Sequence, residues 1–317
     1  MTRSSAPRLM AIGIALGTVA CFDAHAQAQF SQLAPQPPQP TDFSTVEVKT
    51  TQLSSNFHTL EGLGGRISVL SGPDGVLLVD SQYAPLTDRL VAAIKQFTDQ
   101  PIRFLIDTHL HPDHTGGNEN FAKLGAVIFA RDALRDRLEH PIAAADGSPG
   151  KPASVRALPV VTYDAPVTIH IDGEEVHLIP IRGAHTDGDT VVSFPAHDIL
   201  AVGDIFRSLG YPYSDLRNGG SLPGMIDGLG TMIGLVGPNT RVIPGHGPIT
   251  DRAGLIAQRD LILAVRAKVA AMIAQGKSID EVVAAKLTAD SDEQVPQGAQ
   301  TAERFVRWVY VEVKAGH

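Results

Sequence analysis

Three histidines and one aspartate occupy six consecutive positions in the middle of the chain. The segment His109-Leu110-His111-Pro112-Asp113-His114 is followed by Thr115-Gly116-Gly117. Neutral imidazole and carboxylate are ligands that suit zinc, with manganese, iron and cobalt as competitors, and no thiolate is available. A polar turn with a few surface histidines does not explain such a density of ligand side chains directly after an apolar run. The segment therefore predicts a metal site.

The element that must position these side chains is a strand. Ile102 to Thr108 reads as a buried strand, and the glycines behind the cluster open a turn. Successive side chains of a strand point to opposite faces, so His109 and His111 can point together. The turn then carries Asp113 and His114 to a second position. This geometry predicts two neighbouring metal ions.

Further ligand side chains are needed to complete two sites, and the chain offers them at later strand ends. His185 follows the strand-like run 176–181, Asp204 follows 199–202, and His246 follows 241–243. Turn residues come directly after each of them, as they do after the first cluster. The same order of strand, ligand and turn predicts that all these side chains meet at one edge of a sheet structure.

Together with Val79-Asp80-Ser81, these motifs resemble the metal motifs of the metallo-β-lactamase-like superfamily, in order and over about residues 46–247. That superfamily includes glyoxalase II, lactonases, zinc β-lactamases and phosphodiesterases. The resemblance implies that Asp204 bridges two metals, while Asp80 orients a ligating imidazole. It further implies a first site of His109, His111 and His185 and a second site of Asp113, His114 and His246.

Asp204 bears on the substrate. Zinc β-lactamases usually carry Cys or Ser at this position, whereas glyoxalase II and lactonases carry a bridging Asp. We therefore expect an exported hydrolase with two zinc ions, which uses a metal-bound hydroxide to cleave a lactone, ester, thioester or β-lactam, the first two being favoured. Asp113 is expected to orient the hydroxide as well as to bind metal. The positive charge left on such a centre predicts an anionic small-molecule substrate.

Two alternatives stay open at this point. A mononuclear iron oxidoreductase of the sulfur dioxygenase type uses the same scaffold, and a β-lactamase is the alternative among hydrolases. Iron or manganese could also replace zinc in the hydrolase. Metal content distinguishes the oxidoreductase from the hydrolase, because one iron and no zinc per chain excludes the latter.

Two irregular segments are predicted to lie near the metals. Glu61 to Gly65 is glycine-rich and is a candidate flap, and Phe206 to Gly220 contains Tyr211, Tyr213, Arg217 and Asn218. No single residue in either segment can be assigned a substrate contact from sequence. Outside the motifs, His170, His177 and His197 are predicted to be surface residues.

The order of strand-like and helix-like runs predicts an α/β protein, an αββα four-layer sandwich with a C-terminal helical extension. Pro85 to Phe97 has helical spacing of apolar residues, and strand-like runs precede and follow it. The predicted divisions are a signal peptide at 1–26, a Pro/Gln-rich linker at 27–42, a sandwich at 43–250 and helices packed on it at 251–317.

The N-terminus predicts export. Arg3 and Arg8 precede a short apolar stretch and Ala24-His25-Ala26, which is the pattern of a secretory signal peptide cleaved after Ala26. The apolar stretch is shorter than the roughly 20 residues that a membrane span needs. The predicted location is therefore the periplasm or the exterior. A formal net charge of −8 without basic runs argues against nucleic-acid binding, and the oligomeric state stays unassigned.

Overall fold

The computed structural model describes residues 42–143 and 147–317. The predicted signal peptide and nearly all of the predicted linker lie outside these residues, so both stay predictions. No helix in the described part is long and apolar enough to cross a membrane.

Sheet A has its strands in chain order across the sheet. β1 to β4 pair antiparallel, and β4 to β7 pair parallel. The central strand β4 is buried at every position, which is typical of a sheet that is covered on both faces. The strands are β1 (Lys49–Gln52), β2 (Phe57–Glu61), β3 (Ile67–Gly72), β4 (Gly75–Val79), β5 (Ile102–Ile106), β6 (Val127–Arg131) and β7 (Val161–Tyr163).

Sheet B has the strand order β12-β11-β10-β9-β8, with only the β11–β12 pair parallel among its strands. The β8–β9 hairpin turns at Asp172 and Gly173, whose φ angles of 54° and 75° suit a tight hairpin turn. The strands are β8 (Val167–Ile171), β9 (Glu174–Pro180), β10 (Thr190–Phe194), β11 (Ile199–Gly203) and β12 (Arg241–Pro244).

Helices cover the outer faces of both sheets. α1 and α3 pack on sheet A, and α5, α6 and α9 pack on sheet B. The helices of the described residues are α1 (Thr87–Ile94), α2 (Pro112–Thr115), α3 (Asn118–Lys123), α4 (Asp132–Glu139), α5 (Leu222–Leu235), α6 (Arg252–Ala274), α7 (Ile279–Ala284), α8 (Ala289–Asp292) and α9 (Gly298–Lys314).

Three hydrophobic clusters fill the spaces between four layers. Successive side chains of β4 point to opposite faces of sheet A. Leu78 packs against the helices that cover this sheet, while Leu77 and Val79 pack between the two sheets. The third cluster joins sheet B to the C-terminal helices through residues such as Val202 and Trp308. This confirms the predicted αββα sandwich with a C-terminal helical region. The boundary predicted at residue 250 stays a prediction, because those helices share one core with sheet B.

Several strands differ from the sequence-based predictions. Residues 44–51 have a strand-like sequence pattern, but the strand begins only at Lys49, because the guanidinium of Arg89 binds the carbonyls of Phe43, Ser44 and Val46. β2 was not predicted, since polar His58 and Thr59 interrupt its apolar pattern although both are buried.

Candidate metal centre

The predicted ligands all lie where strands end at one edge of the sandwich. His109 comes shortly after β5, and α2 carries Asp113 and His114. His185 lies between β9 and β10, Asp204 follows β11, and His246 follows β12. Sheet A and sheet B therefore both contribute side chains to the same place.

These side chains form three overlapping groups in which the ligand atoms lie within 4.8 Å of one another. The groups match the two sites and the bridge that the resemblance implied, because Asp204 is close to a histidine of each site. The groups are His109, His111 and His185; His109, His114 and Asp204; and Asp113, His114 and His246.

The centre contains polar atoms that are buried and lack a hydrogen-bond partner among the described residues. These atoms are Nε2 of His109, Nε2 of His114 and Oδ1 of Asp204. A buried polar group without a partner costs about 1–3 kcal/mol, so three of them facing one space need a common partner. A divalent cation satisfies imidazole nitrogens and a carboxylate together. The residues present thus fit a metal.

Asp80 holds one side of the centre. Its Oδ2 lies 2.7 Å from Nδ1 of His114, and its two oxygens accept hydrogen bonds from the backbone N and Oγ1 of Thr108. Oγ1 of Thr108 also lies 3.1 Å from Nδ1 of His109. Both histidines are therefore fixed through Nδ1, which leaves their Nε2 atoms facing the centre.

His111 and His185 face each other, with Nδ1 of His111 3.0 Å from Nε2 of His185. Their outward nitrogens also have partners. Nε2 of His111 lies 2.9 Å from Oδ2 of Asp215, and Nδ1 of His185 lies 2.9 Å from the Tyr213 carbonyl oxygen. Sequence reasoning missed Asp215. The available signal was an acidic residue in the irregular segment after Asp204.

Arg207 was also missed, and it contacts the proposed bridge directly. Its Nη1 lies 2.6 Å from Oδ2 of Asp204. Burial alone would raise the pKa of Asp204, but His246, Arg207 and His114 outweigh it and hold that pKa well below its usual value. Asp204 is thus an ionised carboxylate, the form that binds cations.

The histidines differ in the charge that their surroundings favour. Burial and neighbouring imidazoles hold the pKa of His109 well below its usual value and lower that of His185 to about 3. Both are neutral and available as ligands near neutral pH. Burial opposes the charged form of His114 as well, but Asp113, Asp80 and Asp204 outweigh it and raise its pKa to about 10. The carboxylates around His114 therefore have a stronger effect on its charge than burial has, and such surroundings favour a bound cation.

The two irregular segments predicted to lie near the metals, 61–65 and 206–220, differ in how they contact the metal centre. Gly65 donates its N–H to the Asp113 carbonyl oxygen at 2.9 Å, so the Glu61–Gly65 segment lies directly on the ligands. Tyr213 lies edge-on to His185, with ring centres 5.1 Å apart. Tyr211 instead packs away from the centre, with its ring stacked on Phe305.

Two other residues of the second segment support the loop. Arg217 donates to the Ala143 carbonyl, and Asn218 donates to Asp215. Among the other histidines, the surface position predicted for His197 is wrong, because its side chain is 8% exposed and its Nε2 lies 2.8 Å from Glu174.

The sequence matches a family model described as the metallo-beta-lactamase superfamily over residues 60–259. The chain is 27% identical over 204 residues to metallo-beta-lactamase type 2 of Bacillus cereus, covering 61% of this chain and 71% of that protein. It is 30% identical over 142 residues to the 2,4-dinitroanisole O-demethylase subunit alpha of Nocardioides sp. That match covers 44% of this chain and 40% of the demethylase subunit.

The chain is also 30% identical over 77 residues to a linear primary-alkylsulfatase of Pseudomonas sp., covering 22% and 15%. The chain therefore matches less than half the length of the demethylase subunit and of the alkylsulfatase.

Two solved structures share the fold. The sec-alkylsulfatase Pisa1 from Pseudomonas sp. superimposes with a TM-score of 0.65 at 17% identity, covering 83% of this chain and 50% of that one. A metallo-beta-lactamase from Pontibacter korlensis superimposes with a TM-score of 0.54 at 23% identity, covering 68% of this chain and 99% of that one.

Proposed function

We propose that this chain, which belongs to the metallo-β-lactamase superfamily, is an exported hydrolase that binds two zinc ions and cleaves a carbonyl substrate. The observation that carries the proposal is the set of unpartnered buried atoms at the edge of the sandwich, on His109, His114 and Asp204. A structural site would be closed on all sides, whereas this one is open toward solvent on one side.

The open side is defined by differences in exposure. The side chains of His109, His114 and His185 are almost completely buried. Those of His111, Asp113 and His246 are 18–19% exposed. A substrate therefore approaches across the last three residues.

Zinc, when bound, would supply Lewis acidity that lowers the pKa of a water molecule toward about 7 and polarises the carbonyl oxygen. Asp113 lies on the open side with its Oδ2 3.0 Å from Nε2 of His246. Burial raises its pKa, but His114 and His246 outweigh this and lower it below the usual value. Asp113 therefore stays ionised and orients the attacking water by accepting a hydrogen bond from it.

In this hydrolysis the water oxygen bonds to the carbonyl carbon, the bond from that carbon to oxygen, nitrogen or sulfur breaks, and a proton passes to the leaving atom. Lactones and esters are favoured among carbonyl substrates because Asp204 stands at the bridging position. Sulfate esters are a second candidate, because two of the matched proteins are described as alkylsulfatases.

Metal analysis and hydrolysis in one preparation test the proposal. We expect close to two zinc ions per chain and hydrolysis of an acyl lactone, a thioester, a β-lactam or 4-nitrophenyl sulfate, with one class clearly preferred. One iron per chain and no hydrolysis of any of the four compounds would place the protein among the oxidoreductases. Export is tested by sequencing the N-terminus of the protein recovered from periplasmic and extracellular fractions, with Gln27 expected first.

A further inference from the structure

The C-terminal helix α9 brings a cationic side chain to the rim of the metal centre. The guanidinium carbon of Arg304 lies 4.1 Å from the centre of the Tyr213 ring, and Tyr213 lies edge-on to His185. Tyr213 is also 5.9 Å from the guanidinium carbon of Arg207, which binds Asp204. The contacts therefore run from α9 through one aromatic ring to the ligands.

Arg304 differs from its neighbours because it forms no direct ion pair within the described part of the chain, where Asp204 attracts it only from a distance. Arg207 pairs with Asp204, and Arg307, one turn further along α9, pairs with Glu303 and Asp280. Among the described residues, the guanidinium of the half-buried Arg304 makes a cation–π contact with Tyr213 and no hydrogen bond or ion pair. Burial lowers its pKa from the ordinary value. A partly desolvated cation without an anion is costly, unless an anion arrives from outside.

We propose that Arg304 binds an anionic group of the substrate, a carboxylate or a sulfo group, and so makes α9 part of the substrate site. The proposal rests on the proposed hydrolase function and names the charge class of its substrate. A guanidinium can bind either oxyanion through two parallel hydrogen bonds. Tyr213 holds the guanidinium in place through its ring face.

A matched set of aryl acetates tests this inference. The substrates are 3-acetoxybenzoate, 3-acetoxybenzenesulfonate and the neutral 3-acetoxybenzamide, which share the acetyl ester and differ in the charge on the leaving group. For Arg304→Gln we expect kcat/KM to fall about tenfold or more for the anionic esters, as the loss of a charge-assisted hydrogen bond predicts. For the amide we expect a change of less than about twofold. Comparing the carboxylate with the sulfonate shows which oxyanion is preferred.

Two further variants control for structure. Arg304→Lys keeps the charge and should recover part of the activity toward the anionic esters. Arg307→Gln removes a paired cation from the same helix and should change none of the three substrates selectively. An equal loss for charged and neutral esters in Arg304→Gln would show that Arg304 only packs against Tyr213, and would overturn the proposal.

Binding separates this inference from the hydrolase proposal. Calorimetric titration of the metal-loaded protein with sodium sulfate, in a chloride-free buffer, should give several-fold weaker binding to Arg304→Gln than to the unchanged protein. Equal binding would contradict the anion site even if hydrolysis is found. Weaker binding to Arg304→Gln, with no hydrolysis of the aryl acetates or of the four compounds that test the proposed function, would keep the anion site and reject the hydrolase.

Discussion

At the scale of single residues, the partner on the outside of each imidazole decides which nitrogen faces the metal centre. His111 shows this clearly, because Asp215 takes its Nε2 and leaves Nδ1 toward His185. Asp215 also accepts the backbone N–H groups of Arg217 and Asn218. One carboxylate thus orders both a ligand and the loop beside it.

Substitution of Asp215 should therefore weaken metal binding without removing a ligand. For Asp215→Asn we expect about 10- to 100-fold lower zinc affinity, the usual effect of losing such an outer partner. The amide oxygen can still accept the backbone hydrogen bonds, so the fold should be kept. Zinc affinity is measured by competition with a chromophoric chelator. Asp260→Asn, at an exposed position paired only with Arg259, is the control, and equal affinities in both variants would remove Asp215 from this role.

His58 gives a prediction about pH and stability. The residue is 6% exposed, its ring stacks on Phe97 with ring centres 3.9 Å apart, and burial lowers its pKa from 6.5. His58 therefore binds a proton less readily in the folded protein than in the unfolded chain, where its imidazole is protonated below about pH 6.5. The free energy of unfolding consequently falls as pH drops below that value.

We expect the unfolding free energy from urea titration to decrease less between about pH 7 and about pH 5.5 in His58→Phe than in the unchanged protein. The same decrease in both proteins would show that His58 does not contribute to the pH dependence.

The sequence predicted side chains that the structure brings together at one edge of the sandwich, but not the residues that surround them. Ligand side chains carry a local signal, since each stands at the end of an apolar run. Asp215 and Arg304 carry no such signal, because their partners lie far away in the chain. Arg207 lies only three positions after its partner Asp204, but in a loop whose path the sequence does not specify. Arg304, for example, lies 91 positions after Tyr213 in the chain.

At the scale of elements, the β2–β3 connection lies closer to the ligands than a free flap would. A Cβ on Gly65 would stand 2.3 Å from Cε1 of His114. Arg66, the next residue, is anchored to the loop of His246 through its N–H and its guanidinium. The β2–β3 connection therefore packs directly against the metal centre and supports it.

Gly65→Ala should displace His114 and reduce hydrolysis by roughly tenfold to a hundredfold, since small misplacements of catalytic groups have effects of this size. Gly230→Ala is the matched control, because nothing lies within 4 Å of a Cβ at that exposed position in α5. That change should stabilise the protein by about 0.5–1 kcal/mol and leave activity unchanged. Full activity in Gly65→Ala would show that the connection is free to move.

Glu312 connects α9 to the start of α5. It is 5% exposed, and its Oε2 accepts the N–H of Leu222 at 2.6 Å. This N–H is one of those that a helix start leaves without an internal partner. Glu312→Ala should therefore cost about 1–3 kcal/mol of unfolding free energy, measured by urea denaturation. Glu303→Ala, an exposed change in the same helix, should cost less than about 0.5 kcal/mol; similar losses would contradict the role of Glu312.

Elements were predictable where one apolar pattern dominated. β5, β11 and β12 begin at the predicted residues 102, 199 and 241, because each is a short apolar run bounded by turn residues. β2 and β7 were missed, since β2 buries polar residues and β7 is only three residues long. Tertiary packing rather than local pattern decides such strands.

At the scale of the whole molecule, the metal centre joins the two halves of the sandwich. His109, His111, Asp113 and His114 follow strands of sheet A, whereas His185, Asp204 and His246 follow strands of sheet B. A metal bound to both sets connects the sheets at one edge, so binding energy also contributes to the stability of the folded chain.

Removal of metal should consequently destabilise the entire protein. At a free zinc concentration of about 100 Kd the bound state gains about 2.7 kcal/mol, which corresponds to roughly 5–11 °C in Tm for a domain of this size class. Calorimetric scans before and after chelation, followed by readdition of zinc, measure this. An unchanged Tm after verified metal loss would contradict preferential binding of the metal to the folded chain.

The position of Arg304 along the chain has a consequence for inheritance and engineering. All the metal-binding candidates fall inside residues 60–259, the stretch shared with the superfamily, while Arg304 lies beyond it in α9. The proposed role of Arg304 would place one determinant of substrate charge outside the stretch that carries the candidate metal ligands. Recombination that replaces only the last helices could redirect the enzyme to a differently charged substrate while its reaction centre is passed on intact.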